Sequence, residues 1–293
     1  MKRRKIKVIC SVLMLIALCI TLYPLVCNIA GEKYRSMVET RYDKAVEKLN
    51  TDELIAEKEK AVAYNKTLLS LPGEAFSREA LAQAEESYPQ LLNVRGDGIM
   101  GYVQIPKIGV ELPIYHGTAE ETLDRGIGHL LGSSLPVGGI GTHCVLTGHS
   151  GLAGTRMFSD LDQLEKGDVF YLKVLDETHA FMILDIATVL PEDTSKLTID
   201  PERTSCTLVT CTPFGVNTHR LLLRGERIEQ SMARQIVEET EIREAPAEST
   251  WTREYLKGIG FGCLGVAGFS VLILVLSYVL GQNGQRKGNH EKA

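Results

Sequence analysis

Residues 205–225 could bring a nucleophilic thiol next to a cation. They read SCTLVTCTPFGVNTHRLLLRG, in which the short, apolar, β-branched runs 206–210 and 219–224 are typical of buried strands. Proline, glycine and asparagine between the runs predict a loop. Cys211 should therefore close one strand and Arg220 should open its neighbour, side by side at one edge of a sheet. A nearby cation favours the thiolate form of a cysteine; the alternative is an ordinary buried cysteine and a surface arginine.

In a second stretch, residues 142–151, a histidine follows just after a predicted strand. Residues 144–147 are apolar, and Gly148 and Gly151 place His149 in a loop just past the strand end. A histidine in such a position can face a cleft, where it could act as a general acid or base. Taken alone, however, a histidine is more often structural.

The elements that must position these residues are mostly β. The candidate strands are 100–105, 110–114, 142–147, 169–174, 180–190, 206–210 and 219–228. Short strands separated by turns, with few long helices, indicate a closed barrel or a sandwich. Before them, residues 32–69 have a helical repeat, and Asn50 with Glu53 is placed to cap a second helix.

Two long stretches without charged residues, 8–31 and 258–285, could each cross a membrane, which requires about 20 apolar residues. Basic residues precede the first stretch and follow the second, which favours two cytoplasmic termini and an external domain. The net charge of −5 argues against a nucleic-acid partner. The predicted layout is a basic tail and N-terminal anchor (1–31), a helical flank (32–98), a β-domain (99–228), an acidic helical linker (229–257), a second transmembrane helix (258–282) and a cytoplasmic tail (283–293).

The motifs together resemble class C sortases, the pilus-assembling branch of the sortase transpeptidases. The similarity runs from about residue 98 to residue 228. It rests on TGH at 147–149, TLVTCTP at 207–213 and NTHR at 217–220, with further matches in IPKI at 105–108, LPIYHGT at 112–118, GHL at 128–130 and SLPVGG at 134–139. Each piece alone is weak, whereas the combination is specific.

The resemblance implies an eight-stranded sortase-type β-barrel, flanked by N-terminal helices and by a transmembrane helix at each end. It makes Cys211 the nucleophile, His149 the acid/base and Arg220 the stabiliser of the carbonyl oxygen. The implied enzyme cleaves an LPxTG-like sorting signal between Thr and Gly and passes the acyl group to a pilin lysine amine. It would work at the outer face of a Gram-positive cell membrane.

Three other functions are compatible with parts of this pattern. A sortase of another class would attach surface proteins to the peptidoglycan cross-bridge, and a hydrolytic cysteine protease would release its acyl-enzyme to water. A non-catalytic receptor for sorting signals would need none of the three reactive side chains. The second span and the segment before the barrel favour the pilus class.

Class C sortases usually carry a lid with an Asp-Pro-aromatic tip over the active cysteine. The equivalent here would be Glu74 and Phe76, within residues 73–77, although the proline is absent. Glu74 could pair with Arg220 and Phe76 could cover Cys211; the alternative is an ordinary surface loop. Thr147 and Thr210 flank the reactive residues and could either line a substrate groove or fill strand positions.

The remaining cysteines and histidines of the β-domain compete for a functional role. Cys144 and Cys206 lie in apolar runs, where a cysteine packs as a small hydrophobic residue. Cys206 and Cys211 should point to opposite faces of their strand, and His219 should point away from Arg220. A zinc site could in principle be formed by His143, Cys144, His149, Cys211 and His219. None of them forms a tight ligand pair, so we predict neither a metal nor an organic cofactor.

Overall fold

Eight strands between residues 99 and 228 close into a barrel. The computed structural model describes residues 2–70, 87–150, 157–243, 252–253, 255–263 and 265. The strands are β1 (Ile99–Ile105), β2 (Val110–His116), β3 (Ile127–His129), β4 (Thr142–Thr147), β5 (Val169–Val174), β6 (Glu177–Val189), β7 (Thr204–Thr212) and β8 (His219–Ile228). The α-helices between residues 2 and 243 are α1 (Lys2–Val46), α2 (Thr51–Ser70), α3 (Glu120–Leu123) and α4 (Gln230–Arg243). Residues 255–263 are also helical.

The strand order around the barrel is β1-β2-β3-β4-β7-β8-β6-β5, and β5 pairs with β1 to close it. The pairs β2–β3 and β4–β7 are parallel, and the other pairs are antiparallel. The predicted mainly β, eight-stranded barrel with N-terminal helices is therefore confirmed. Closure leaves the sheet without exposed edges.

The sequence pattern gave only seven of these strands, because β3 is three residues long and contains Gly128. That glycine is required by packing. A Cβ atom at Gly128 would lie 2.4 Å from the carbonyl oxygen of Gly117 and 2.9 Å from Leu123. The strand is thus defined by its close approach to the loop after β2, a tertiary feature that propensity does not carry.

Side chains of β4, β7 and β8 alternate between two apolar layers. The inward-facing residues of these strands join the main core inside the barrel; they are Cys144, Leu146, Cys206, Leu208, Leu221 and Leu223. The outward-facing Val145, Val209 and Leu222 form a separate cluster with Leu197. Because successive side chains of a strand point to opposite faces, this alternation assigns the face of every neighbouring residue.

Helices α1 and α2 are fixed to the barrel by buried polar contacts. The Tyr42 hydroxyl donates to the Met100 carbonyl at 2.7 Å and accepts from the Leu175 amide at 2.9 Å. The Asn65 side chain bonds both the amide and the carbonyl of Leu135. At the start of α2, the Asn50 and Glu53 side chains each accept from the other's backbone amide, so the predicted cap is confirmed.

Among the described residues, one helix is long and apolar enough to cross a membrane. It is the Val12–Val46 part of α1, whose best window has a mean hydropathy of 2.4. The chain also divides into two compact units, Met1–Ala247 and Glu248–Ala293. Most of the predicted second span, residues 258–282, lies outside the described residues.

Candidate active site

Cys211 and Arg220 are direct partners in the antiparallel pair of β7 and β8. Val209 and Leu222, two residues away on each strand, belong to the outer apolar cluster. Cys211 and Arg220 therefore lie side by side on the outer face, at the end of the barrel where the loop 213–218 joins the two strands. Cys211 is a free, half-buried thiol. This arrangement suits a reaction in which a sulfur and a cation contact the same bound group.

The loop after Cys211 also holds the guanidinium in place. The amides of Val216 and Asn217 both donate to the carbonyl of Pro213, so the loop folds back on itself. Nη1 of Arg220 then donates to the Asn217 carbonyl at 3.3 Å and to the His219 carbonyl at 3.1 Å. These two bonds use only one nitrogen of the planar group, which leaves its other donors for an incoming oxygen.

His149 reaches the same end of the barrel from β4. Thr147 pairs with Val209 in the parallel β4–β7 ladder, and the Gly148 amide donates to the Val209 carbonyl at 3.0 Å. The Thr210 hydroxyl donates to the Gly148 carbonyl at 2.9 Å. The pairing thus continues one residue past β4, and His149 follows at the level of Cys211. The register of three adjacent strands brings the three predicted reactive residues to one end of one sheet.

Thr210 and Thr147 differ in exposure. Thr210 is buried, with its hydroxyl committed to the Gly148 carbonyl, which favours the strand-filling alternative over the groove for this residue. Thr147 is half-buried on the outer face, beside the three residues predicted to be reactive. A groove on the outer face is therefore better placed to contact Thr147.

Asp124 approaches His149 and was not singled out from the sequence. Its Oδ1 lies 3.9 Å from Nε2 of His149, beyond hydrogen-bond range. Within the described part of the chain, that Nε2 atom is buried and has no hydrogen-bond partner. The His149 carbonyl accepts from the Phe158 amide at 3.1 Å, so the backbone of the histidine is fixed. Asp124 follows an acid-rich stretch of α3, where composition gives no sign of this contact.

Gly148 is the glycine on which the position of His149 depends. A Cβ atom there would lie 2.5 Å from Cδ1 of Ile127 and 2.9 Å from Cδ2 of Phe158, both fully buried side chains. We expect Gly148→Ala to destabilise the protein by about 1–3 kcal/mol and to lower Tm by several degrees, as overpacking does. It should also displace His149 and reduce activity. Thermal unfolding followed by circular dichroism measures the first effect.

Gly109→Ala is the matched control for this substitution. Gly109 has a φ of +59°, and a Cβ atom there would meet nothing within 4 Å, so only backbone strain of about 1 kcal/mol is added. A Gly148→Ala protein as stable as the control would contradict the close packing described here.

The other candidate residues of the sheet face away from Cys211, His149 and Arg220. Cys144 and Cys206 point into the core, as predicted for the face opposite Cys211. His219 is the partner of Thr212, on the face opposite Arg220. Among the described residues, no group of three or more His, Cys, Asp or Glu side chains could hold a metal ion. Glu74 and Phe76 of the predicted lid lie outside the described residues.

His143, considered above as a metal ligand, is a neutral buried residue of β4. Its Nδ1 donates to the Thr198 carbonyl at 2.9 Å, and its Nε2 accepts from the Thr207 hydroxyl at 2.7 Å. Burial, assisted by the charge of Arg224, lowers the pKa of His143 from 6.5 to about 4. A group whose pKa is lowered on folding contributes stability that is present above its unfolded pKa and lost as the pH falls through the folded one.

We therefore expect the free energy of unfolding to fall between pH 7 and pH 4.5, with about 2 kcal/mol of the loss due to His143. His143→Gln should reduce this pH-dependent loss even though it also lowers stability at pH 7. Urea unfolding at pH 7 and pH 4.5 measures the pH-dependent loss. His219→Gln, which changes a half-buried histidine at the end of a strand, is the control. An undiminished loss in His143→Gln would contradict the assignment. Burial also lowers the pKa of His179 to about 4, so part of the loss should remain.

Comparison with known proteins identifies a family with this fold and these site residues. The sortase domain family matches residues 103–228, a range that contains His149, Cys211 and Arg220. The chain is 34% identical to Sortase D of Bacillus subtilis over 131 residues, which are 44% of this chain and 63% of that protein. The structure resembles sortase C1 of Streptococcus agalactiae with a TM-score of 0.61 and 42% identity, over 66% of this chain and 99% of that one.

The chain belongs to the sortase family. Sortases are cysteine transpeptidases, and the solved structures similar to this sortase include class C members. One of them, sortase C of Clostridium perfringens with its C-terminal cell wall sorting motif, is 37% identical, with a TM-score of 0.58 over 66% of this chain and 99% of that one. The match to Bacillus subtilis Sortase D spans less than two thirds of that protein's length.

Proposed function

We propose that this sortase is a membrane-anchored cysteine transpeptidase that polymerises pilins. The observation that carries the proposal is the register of β4, β7 and β8, which brings His149, Cys211 and Arg220 to one end of the outer face. A nucleophile, an acid/base and a cation at one level of a rigid sheet are the components of acyl transfer. The similar solved structures include pilus-related sortase C enzymes, which favours pilin subunits as substrates.

In the first half-reaction, the Cys211 thiolate attacks the Thr carbonyl carbon of an LPxTG-like sorting signal. Arg220 stabilises the negative charge that develops on the carbonyl oxygen, using the donors that its loop contacts leave free. His149, as imidazolium, gives its proton to the departing Gly amine. The products are a thioester on Cys211 and the released C-terminal fragment.

In the second half-reaction, an amine attacks the thioester. Neutral His149 accepts the proton of the incoming amine, Arg220 again stabilises the oxyanion, and the Cys211 thiolate leaves. With a pilin lysine as the amine, the product is an isopeptide bond. The apolar part of α1 is compatible with membrane anchoring, and the proposed topology puts the barrel outside with both termini in the cytoplasm.

The test is product analysis with competing acceptors. The detergent-solubilised full chain is incubated with an LPxTG peptide and one of three acceptors: a pilin domain bearing lysine, a glycine peptide that represents a cross-bridge amine, or water alone. We expect an isopeptide product with the pilin domain and a ladder of polymers when both donor and acceptor are whole pilins. Preferred transfer to the glycine peptide would support cell-wall anchoring, and hydrolysis in all three arms would support a protease.

A further inference from the structure

A second pair of sulfur atoms lies in the barrel, away from the proposed active site. Cys144 of β4 and Cys206 of β7 are direct register partners in the parallel pair. Partners in a parallel ladder point to the same face, and both residues belong to the main core, with exposures of 4% and 0%. Both are free thiols in this structure. No step of the proposed reaction uses them.

The geometry of this pair suits a disulfide between neighbouring strands. Adjacent strands lie about 4.8 Å apart, and a disulfide joins residues whose Cα atoms are about 4.4–6.8 Å apart. Each thiol also affects the ionisation of the other, as adjacent groups do. Cys211 cannot compete with either partner, because it lies on the opposite face of β7.

The two thiols differ in how readily they ionise. Burial opposes ionisation of Cys144, but the influence of Cys206 and His129 outweighs it and lowers the pKa of Cys144. Burial, and then the contact with Cys144, raise the pKa of Cys206 well above its ordinary value. The His129 ring is itself held by the Tyr88 hydroxyl at 2.8 Å and the Ser134 carbonyl at 2.9 Å.

We propose that Cys144 and Cys206 form a redox site that closes into a disulfide between β4 and β7 when a disulfide-class oxidant is present. A disulfide at this position would also affect the proposed active site. Cys144 lies five residues before His149, and Cys206 lies five residues before Cys211. The link therefore holds the register on which the alignment of His149 with Cys211 depends, and it does so whichever reaction the enzyme catalyses.

The chemistry is two consecutive thiol–disulfide exchanges. One of the two cysteines, as its thiolate, attacks one sulfur of the oxidant, such as oxidised glutathione, and displaces one glutathione thiolate, which takes up a proton. The other cysteine then loses its proton and attacks the protein sulfur of the mixed disulfide, which releases the second glutathione. Two protein thiols are oxidised to one disulfide, and one glutathione disulfide is reduced to two thiols. Because the pair is buried, exchange requires local opening of the barrel or takes place before it closes.

The test is disulfide mapping of the detergent-solubilised full chain. The protein is incubated with oxidised glutathione at temperatures rising towards its Tm, alkylated, digested without reductant and analysed by mass spectrometry. We expect a peptide pair that links Cys144 to Cys206, is two hydrogens lighter than the free peptides and separates on reduction. The linked protein should also have a Tm higher than the reduced one, on the order of 5–10 °C.

Two variants separate this pair from the proposed active site. Cys211→Ala should still form the link, whereas Cys206→Ala should show no increase in Tm with oxidant. The proposal is overturned if Cys144 and Cys206 remain alkylated as free thiols at every temperature, or if oxidation links either of them to Cys211. The wild-type map decides the question even if a variant fails to fold, and its result is independent of transpeptidase activity.

Discussion

Replacing Cys211 with alanine is expected to abolish transfer of the sorting-signal acyl group, a loss of about 10³-fold or more. No other described thiol of the barrel can substitute, because Cys144 and Cys206 are buried and face the core. Cys211 is half-buried on the outer face, so its truncation leaves the core unchanged and the variant should keep the wild-type Tm. The measurement is the rate of amide product formation from an LPxTG peptide and an amine.

Cys206→Ala is the matched control for this substitution, since it removes a thiol from the same strand but from the opposite face. Per folded molecule it should retain transfer close to the wild-type rate. Substantial transfer by Cys211→Ala would exclude Cys211 as the nucleophile. Cys211→Ser, which keeps the shape of the side chain, should be as inactive as the alanine variant because a serine hydroxyl is not ionised here.

Replacing Arg220 with lysine is expected to lower kcat/KM by about 10²–10³-fold while KM changes little. The guanidinium contacts the Asn217 and His219 carbonyls through one nitrogen, which leaves its other donors for a substrate oxygen. A lysine ammonium is a point charge that cannot keep both sets of contacts in a fixed plane. Steady-state kinetics with a fluorescent LPxTG peptide separates the two parameters.

Arg224→Lys is the matched control, because Arg224 lies four residues further along β8 and donates to the Ser205 hydroxyl, away from the strand end. It should retain kcat/KM within a few-fold of wild type. If Arg220→Lys were as active as the wild type, positive charge alone would account for the role of Arg220. The proposed contact of a planar guanidinium with the oxyanion would then be wrong.

The sequence alone predicts the position of a side chain where that position follows from a local pattern of residues. Apolar runs on either side of a turn predict β7 and β8, and the loop between them aligns Cys211 with Arg220. Strand alternation likewise predicts that Cys206 points away from Cys211. In both cases the inference needs only the period of a strand and the residues of one hairpin.

Other features depend on contacts between distant segments, which no local pattern encodes. The parallel pairing of β4 with β7, which aligns His149 with Cys211, joins segments about 60 residues apart. The short strand β3 exists because the backbone passes close to Gly128. The approach of Asp124 to His149 and the direct opposition of Cys144 and Cys206 follow from the same barrel closure.

Trapping the acyl-enzyme is the most direct test of a single site formed by Cys211, His149 and Arg220. The full chain is mixed with an LPxTG peptide without an amine acceptor, quenched in acid, and digested so that the modified residue can be identified by mass. The account predicts a thioester on Cys211 that carries the peptide up to its Thr, with much less of it in His149→Ala and Arg220→Lys. An acyl group on any other residue, or amide product formed without modification of Cys211, would contradict it.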